Sequence, residues 1–329
     1  QGAIGVVRSD GLVSPAYIVA KPNEKIWPEY MDYCMKTPRM IHAIHRQSYG
    51  VTDFRLRLYW DSFTPITCQL PPLPEQQKIA AILSTQDKVI ELKEKLLAQK
   101  QQQKKYLMQQ LLTGKKRLSG FNEKWKVEKF SEIFAFLSTN TLSRDNLFEG
   151  VGAIQNIHYG DILTKFNEVI DLDCVCLPSV KESAIPNKCA TVKSGDIIIA
   201  DTAEDLTAGK VVEVQNIGDR VIYSGLHTML CRPKEQLFSD GWLGFYMNSE
   251  AYHKQLIPYI AGVKVMAISK SNIVKTYIAI PSKAEQAAIV EILSTADHEI
   301  DLLQKSIESE KQKKKALMQL LLTGKVRVK

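Results

Sequence analysis

The sequence predicts an α/β (α+β) protein in which mixed globular parts are joined by two long helices that form an antiparallel coiled coil. Three observations predict it. Two stretches of some forty residues repeat each other in an unbroken register. Both are rich in Ala, Leu, Lys, Gln and Glu, with no Gly or Pro inside and with apolar residues recurring every seven positions. The rest carries short β-branched runs bounded by Gly or Asp, the pattern of strands. The expected division is a first globular part over 1–74, a central helix over 75–118, a second globular part over 119–284 and a final helix over 285–329.

The repeat comes first because it organises everything else. Pro71-Pro72-Leu73-Pro74-Glu75-Gln76 leads to Ile82-Leu83-Ser84-Thr85 and ends at Leu111-Leu112-Thr113-Gly114-Lys115. Pro281 to Glu285-Gln286 leads to Ile292-Leu293-Ser294-Thr295 and ends at Leu321-Leu322-Thr323-Gly324-Lys325, 210 positions later throughout. Upstream the match is weaker. Ser14-Pro15-Ala16-Tyr17 lines up with Ser224-Gly225-Leu226-His227, Trp27 with Trp242, and Thr67–Leu70 with Tyr277–Ile280. The chain therefore reads as two copies of one unit. Residues 120–210 find no counterpart, so roughly ninety residues are expected to be missing ahead of Gln1, judged by the repeat length.

Each long segment starts after proline, with Glu75 or Glu285 in its first turn, where a carboxylate meets the positive helix end. Gly114 and Gly324 follow the last apolar turn as left-handed caps. Helices of about 38 residues would be about 57 Å long. The seam runs through Leu83, Ile90, Leu97 and Leu111 in one copy and Leu293, Ile300, Ile307 and Leu321 in the other. Both seams turn polar at the same step, Lys104 and Lys314, which predicts a device that fixes register. Antiparallel pairing would relate the two copies by a pseudo-two-fold axis.

In the globular parts, Val127–Phe136 reads as a short amphipathic helix. Val192–Ala200, Lys210–Val214, Val221–Cys231 and Ile273–Ile280 read as mainly antiparallel strands, and Trp242–Leu256 as helix. Trp27–Arg46 reads as a helix that Pro38 kinks or breaks.

With 329 residues, 45% hydrophobic and 24% charged, the chain is neither disordered nor collagen-like. No apolar run is long enough to span a membrane. Six scattered Cys do not make a disulfide scaffold, so reduced thiols in the cytoplasm are expected. The net charge of +7 is concentrated on residues 75–118, with 10 Lys/Arg against 4 Asp/Glu. That excess fits nucleic acid and equally a solvated helix face.

The parts of an enzyme are absent from the sequence. No Gly-x-x-x-x-Gly-Lys-Ser/Thr loop, Gly-x-Gly-x-x-Gly or Asp/Asn-Pro-Pro-Tyr/Phe string occurs. The two Leu-Thr-Gly-Lys strings end helices instead of opening them. His42 and His45 lack a second ligand pair, and Asp196, Asp201, Glu204 and Asp205 read as a solvated loop. The expectation is a binding protein with no catalytic residue, metal or cofactor of its own.

The motif set resembles a known family. Pro-Pro-Leu-Pro-Glu-Gln running into a long helix, with its second copy at 281–293, is similar to the conserved regions of the DNA-specificity subunit (HsdS) of type I restriction-modification systems. Ser14–Tyr17, Lys193-Ser194-Gly195-Asp196-Ile197, and Ile268-Ser269-Lys270 through Ile280-Pro281 resemble pieces of that family's target-recognition domains. Ser282-Lys283-Ala284 departs from Pro-Leu-Pro of the first copy.

The resemblance implies two recognition domains, each reading half of a bipartite site in double-stranded DNA. It implies methyltransferase and restriction-translocation subunits as partners, with S-adenosylmethionine and ATP bound by them. A chain lacking part of one domain leaves self-association open as compensation. Phosphates require Lys or Arg, and base edges require polar side chains on projecting loops. The candidates are Thr202, Lys210, Lys264 and Lys270 in the second domain and Arg46, Arg55 and Arg57 in the first. Met108, Leu112, Met318 and Leu322 on the helices would either receive the methyltransferase or pack against the other helix. Two other readings stay open: the recognition portion of a single-chain restriction-methyltransferase, and a coiled-coil scaffold that binds protein.

Overall fold

The computed structural model describes residues 4–14, 17–50, 56–150, 152–186 and 188–328. The chain divides into two compact units, residues 1–99 with 300–329, and residues 100–299. Both boundaries fall inside long helices, so each unit holds half of each helix.

The first unit carries α1 (Pro28–Met35), α2 (Pro38–Arg46), α3 (Trp60–Phe63) and the start of α4 (Leu73–Leu111). The expected Trp27–Arg46 helix is broken as Pro38 suggested. Thr37 adopts extended backbone and its hydroxyl caps α2 by accepting from the Met40 amide. Tyr30, Tyr33, Cys34 and Met40 pack on Ile79, Ala80 and Leu83 of α4 and on Leu321.

The second unit is built on two main sheets. Its chain runs β1 (Lys126–Lys129), α5 (Phe130–Ile133), β2 (Phe134–Leu137), β3 (Leu147–Phe148), β4 (Ile154–Ile157), α6 (Tyr159–Thr164), β5 (Val169–Asp171) and β6 (Ser179–Val180). It continues through β7 (Ile197–Ala200), β8 (Thr202–Ala203), β9 (Val211–Gln215), β10 (Val221–Ser224), β11 (Thr228–Pro233), α7 (Trp242–Met247) and α8 (Glu250–Leu256). It closes with β12 (Met266–Ala267), α9 (Lys270–Ile273), β13 (Tyr277–Ile280) and the start of α10 (Lys283–Leu321). One sheet has the order β2-β11-β7-β9-β5 and the other β10-β4-β6-β3. Pairing is antiparallel except for β10 with β4 and β5 with β9.

β7 shows why Ile-Ile-Ile-Ala reads as an unbroken apolar run. Ile197 and Ile199 enter one core with Trp242, Phe245, Tyr252 and Leu293, while Ile198 and Ala200 enter a second core with Ile157, Ile162 and Ile222. A strand buried on both faces has no polar alternation to display.

Five expected elements are corrected, the first being Val192–Ala200, of which only Ile197–Ala200 is strand. Val127–Phe136 is strand, one helical turn and strand, because β1 pairs with β13 and β2 with β11. Val221–Cys231 is two strands parted by a turn at Gly225–His227. Trp242–Leu256 breaks at Asn248, whose side chain bonds both backbone groups of Val211, and Ser249 caps the next helix. Only Tyr277–Ile280 of the last expected strand is strand, since α9 occupies Ile273. Over Val127–Phe136 strand pairing overrides local propensity, and over Trp242–Leu256 a side-chain bond to a distant strand does.

The two long helices pair antiparallel within each unit. In the first, Lys93 reaches Ser306 and Glu310, Lys311 reaches Glu94, and Lys314 pairs with Asp87. In the second, Lys100 reaches Glu299 and Lys104 reaches Asp297 at 2.5 Å. Leu83, Ile90, Leu111, Leu293, Ile300, Ile307 and Leu321 are buried, and Leu97 is half-buried. Gly114 (φ 68°) and Gly324 (φ 70°) are left-handed and end the helices identically, with the Lys116 amide on Gln110 and the Val326 amide on Leu320.

The repeat also clamps each unit in the same way. Glu285, buried, accepts two bonds from Arg117 (2.6 and 2.7 Å) and one from the Trp125 indole. Glu75, likewise buried, accepts two from Arg327 (2.8 and 2.6 Å) and one from the Val328 amide. Arg327 holds the Glu75 carboxyl below the usual range. Gln76 accepts from the Trp27 amide and donates to the Lys25 and Pro71 carbonyls. Gln286 accepts from the Ser239 amide and donates to the Leu237 and Pro281 carbonyls. These bonds set Trp27 against Ser239, not against Trp242 as the sequence alignment had it. Tyr30 is the counterpart of Trp242, and both are buried.

Among the described residues no helix is long and apolar enough to cross a membrane. Met108, Leu112, Met318 and Leu322 belong to the cores, which gather side chains of the globular parts as well as of the other helix.

Candidate nucleic-acid interface

Four segments of the second unit converge at one end of its five-stranded sheet. β7 ends at Ala200, opposite Thr228 at the start of β11, so Asp201 and the 225–227 turn lie together. The Asp201 amide donates to the His227 carbonyl at 3.1 Å. β8 pairs with β12, Thr202 facing Ala267, and the Ile268 amide donates to the Asp201 carbonyl at 2.9 Å. Tyr159, at the start of α6, meets the His227 ring edge-on at 5.3 Å.

Polar side chains line this end. The Thr202 hydroxyl donates to Asp201 Oδ1 at 2.7 Å. His227 Nδ1 lies 3.3 Å from Thr202 Oγ1 and 3.4 Å from Asp201 Oδ1. His227 holds a φ of 55°, a left-handed backbone uncommon outside glycine. Beneath it, Arg144 grips buried Asp161 with two bonds of 2.8 and 3.0 Å. Burial raises the Asp161 carboxyl, but the bonds from Arg144 and Lys165 outweigh it and leave the pKa lowered. Burial, and then the Arg144 charge, push the His158 imidazole down.

A projecting loop stands beside this cluster. Ala261 and Ala267 bridge, closing residues 262–266 into a tight excursion. Gly262 is required there, since a Cβ would sit 1.9 Å from the Val265 carbonyl oxygen. Lys264 is exposed at the tip between Val263, 96% exposed, and Val265.

The structure thus brings Thr202, Lys264 and Lys270 into one region. Lys270 is exposed at the start of α9, its ammonium 5.4 Å from the Phe136 ring centre. Lys210 is turned inward. Its half-buried ammonium donates to the Leu163 and Phe166 carbonyls at the end of α6, and burial lowers its pKa. In the first unit, Arg46 is exposed at the end of α2. Arg57 is exposed too, with backbone bonds to Tyr49 and its guanidinium 5.2 Å from the Tyr59 ring. Arg55 lies outside the described residues.

His227, Tyr159 and the pairing of Asp201 with Thr202 were not singled out by the sequence. Reading Val221–Cys231 as one strand hid the turn that presents His227. The available signal was the repeat, which sets His227 opposite Tyr17, itself exposed.

The family model described as "Type I restriction modification DNA specificity domain" matches residues 15–101 and 122–311. The chain belongs to this family. Among curated relatives of the DNA-specificity family, the type I restriction enzyme MjaVIII specificity subunit of Methanocaldococcus jannaschii is 27% identical, over 97% of this chain and 75% of its own length. The putative MjaX specificity subunit of the same organism is also 27% identical, over 95% and 71%. The crystal structure of a type I restriction-modification S subunit from M. genitalium shares the fold at a TM-score of 0.56 and 15% identity, covering 90% of this chain and 73% of that one. A structure from work on assembly of a type I system matches at 0.55 and 17%, over 91% and 72%. As a DNA-specificity chain it acts with partner subunits and DNA.

Proposed function

We propose that this chain is the non-catalytic reading subunit of a type I complex, recognising a bipartite DNA sequence and docking methyltransferase and restriction-translocation subunits. S-adenosylmethionine and ATP then belong to those partners, and the complex works in the cytoplasm. The observation that carries the reading is the doubled clamp: on the long helices and just past their ends, residues 210 apart make like contacts in both units. A chain built twice around one strut suits a target read in two halves.

Within it, Lys264 and Lys270 meet phosphate or base edges beside Thr202, and Arg46 and Arg57 serve the first unit. Arg55 remains a candidate with them. Lys210 holds the end of α6 instead of contacting DNA. Leu92, Leu96 and Leu302, exposed on the long helices, offer apolar footing to a partner subunit.

The helices set the gap between half-sites. At 39 residues each they are about 58 Å long, an upper limit of about 17 base pairs. The test is co-expression with type I methyltransferase subunits and mapping of methylated sites. Two short specified blocks separated by a fixed gap are expected. One helical turn inserted into both long helices should lengthen the gap by about two base pairs. An unchanged gap removes the ruler, and unspecific methylation removes the reading itself.

A further inference from the structure

The hydrogen bonds around His227 fix which way its ring presents a lone pair. The Thr202 hydroxyl proton is already committed to Asp201 Oδ1, at 2.7 Å. Both atoms facing His227 Nδ1, Thr202 Oγ1 at 3.3 Å and Asp201 Oδ1 at 3.4 Å, are therefore acceptors. Two acceptors demand a donor between them, so Nδ1 carries the proton in the neutral ring and Nε2 is left as an acceptor. Nε2 has no hydrogen-bond partner among the described residues, and the side chain is 48% exposed. The ring is also fixed in direction. Its backbone sits at φ 55°, its carbonyl takes the Asp201 amide, and the Tyr159 ring meets it edge-on at 5.3 Å. A turn that would suit glycine instead carries a braced imidazole aimed away from its own partners.

Resting on the DNA-reading role above, we propose that His227 reads an exocyclic amino group of the target through Nε2, with Asp201 and Thr202 as positioning residues that hold its tautomer. The reading is of the major groove, where only adenine N6 and cytosine N4 offer such donors. His227 therefore specifies one base pair of the half-site read by the second unit, and it rejects a keto oxygen at that position.

The experiment is site mapping by the complex of this chain with type I methyltransferase subunits, for the unaltered chain, His227→Ala and Asp201→Asn. The unaltered chain should require an amino-bearing base at one position. His227→Ala should relax that position alone, by about ten-fold in discrimination, with the other positions kept. Asp201→Asn offers Nδ1 a donor, which turns Nε2–H outward, and should move the preference towards the keto bases guanine or thymine. Nitrogen-15 correlation spectra of the chain should show the ring proton on Nδ1 in the first case and on Nε2 in the second. A proton on Nε2 of the unaltered chain overturns the proposal without touching the DNA-reading role. So does an unchanged target sequence for His227→Ala. An unaltered chain that selects no sequence overturns both.

Discussion

The two units share one strut and differ in what is packed against it. In the second unit Ile280 is 7% exposed, covered where β1 pairs with β13; its counterpart Leu70 in the first is 40% exposed. Among the described residues no strand pairs with 67–70. The second unit has a core on each face of a five-stranded sheet, whereas the described residues of the first form one core gathered by helices. The seam and its polar clamps persist through this difference. Glu75 and Glu285, Gln76 and Gln286, Asp87 and Asp297, Lys104 and Lys314, and Arg117 and Arg327 make like contacts in both. Apolar packing tolerates substitution when volume is conserved. A buried carboxylate gripped by two guanidinium bonds does not, because its partner would be left unpaired.

The largest effects are expected at the seam. Leu83 and Leu293 are equivalents and both are fully buried. Leu293→Ala and Leu83→Ala should each cost about 3–5 kcal/mol, each in its own unit. Hydrogen exchange resolved by residue checks it; loss of protection spread evenly over both units would show that they do not respond separately.

Glu213 sharpens the contrast from the second unit. It is buried, accepts from the Gly241 and Gly244 amides and from Gln215, and burial pushes its carboxyl up to about 7. A carboxyl raised in the folded state contributes stability below its unfolded pKa and loses it as pH rises through the folded value. Stability of the second unit should therefore fall by about 3 kcal/mol between pH 4.5 and 7 through this group. Denaturant titrations across that range should show a slope that Glu213→Gln flattens.

Lys104 and Lys314 test whether equivalent clamps carry equal weight. Lys104 is mostly buried between Glu168 and Asp297. Burial lowers its pKa, but the two carboxylates outweigh that and leave it raised. Lys314 pairs with Asp87 and lies 5.5 Å from the Tyr33 ring, with more of both partners in solvent. Lys104→Met should cost about 2 kcal/mol more than Lys314→Met, measured by urea midpoint at pH 7. Equal costs would mean that the strut alone, not its surroundings, sets the value of the clamp.

The smallest difference is expected at the arginines. Arg117→Ala should lower the melting midpoint more than Arg327→Ala, since Arg117 is less exposed and stacks 5.5 Å from Trp125. Calorimetry of the two variants ranks them.

By itself the sequence determined the strut. A seven-residue apolar spacing, uninterrupted helix formers and a glycine after the last turn are local and periodic signals. Nothing distant needs to be known to read them, and the repeat doubled each one. Lys104 and Lys314 were legible as polar breaks, though not their partners. Tertiary structure decided the rest. Phe130 became one helical turn between strands because β13 and β11 needed partners, and Lys210 turned inward because two helix-end carbonyls lay within reach. Asp201, Thr202 and His227 became neighbours only when antiparallel pairing of β7 with β11 brought residues 25 apart into hydrogen-bond range. Spacing along a chain records helical faces well, but it carries no record of which strand lies next to which.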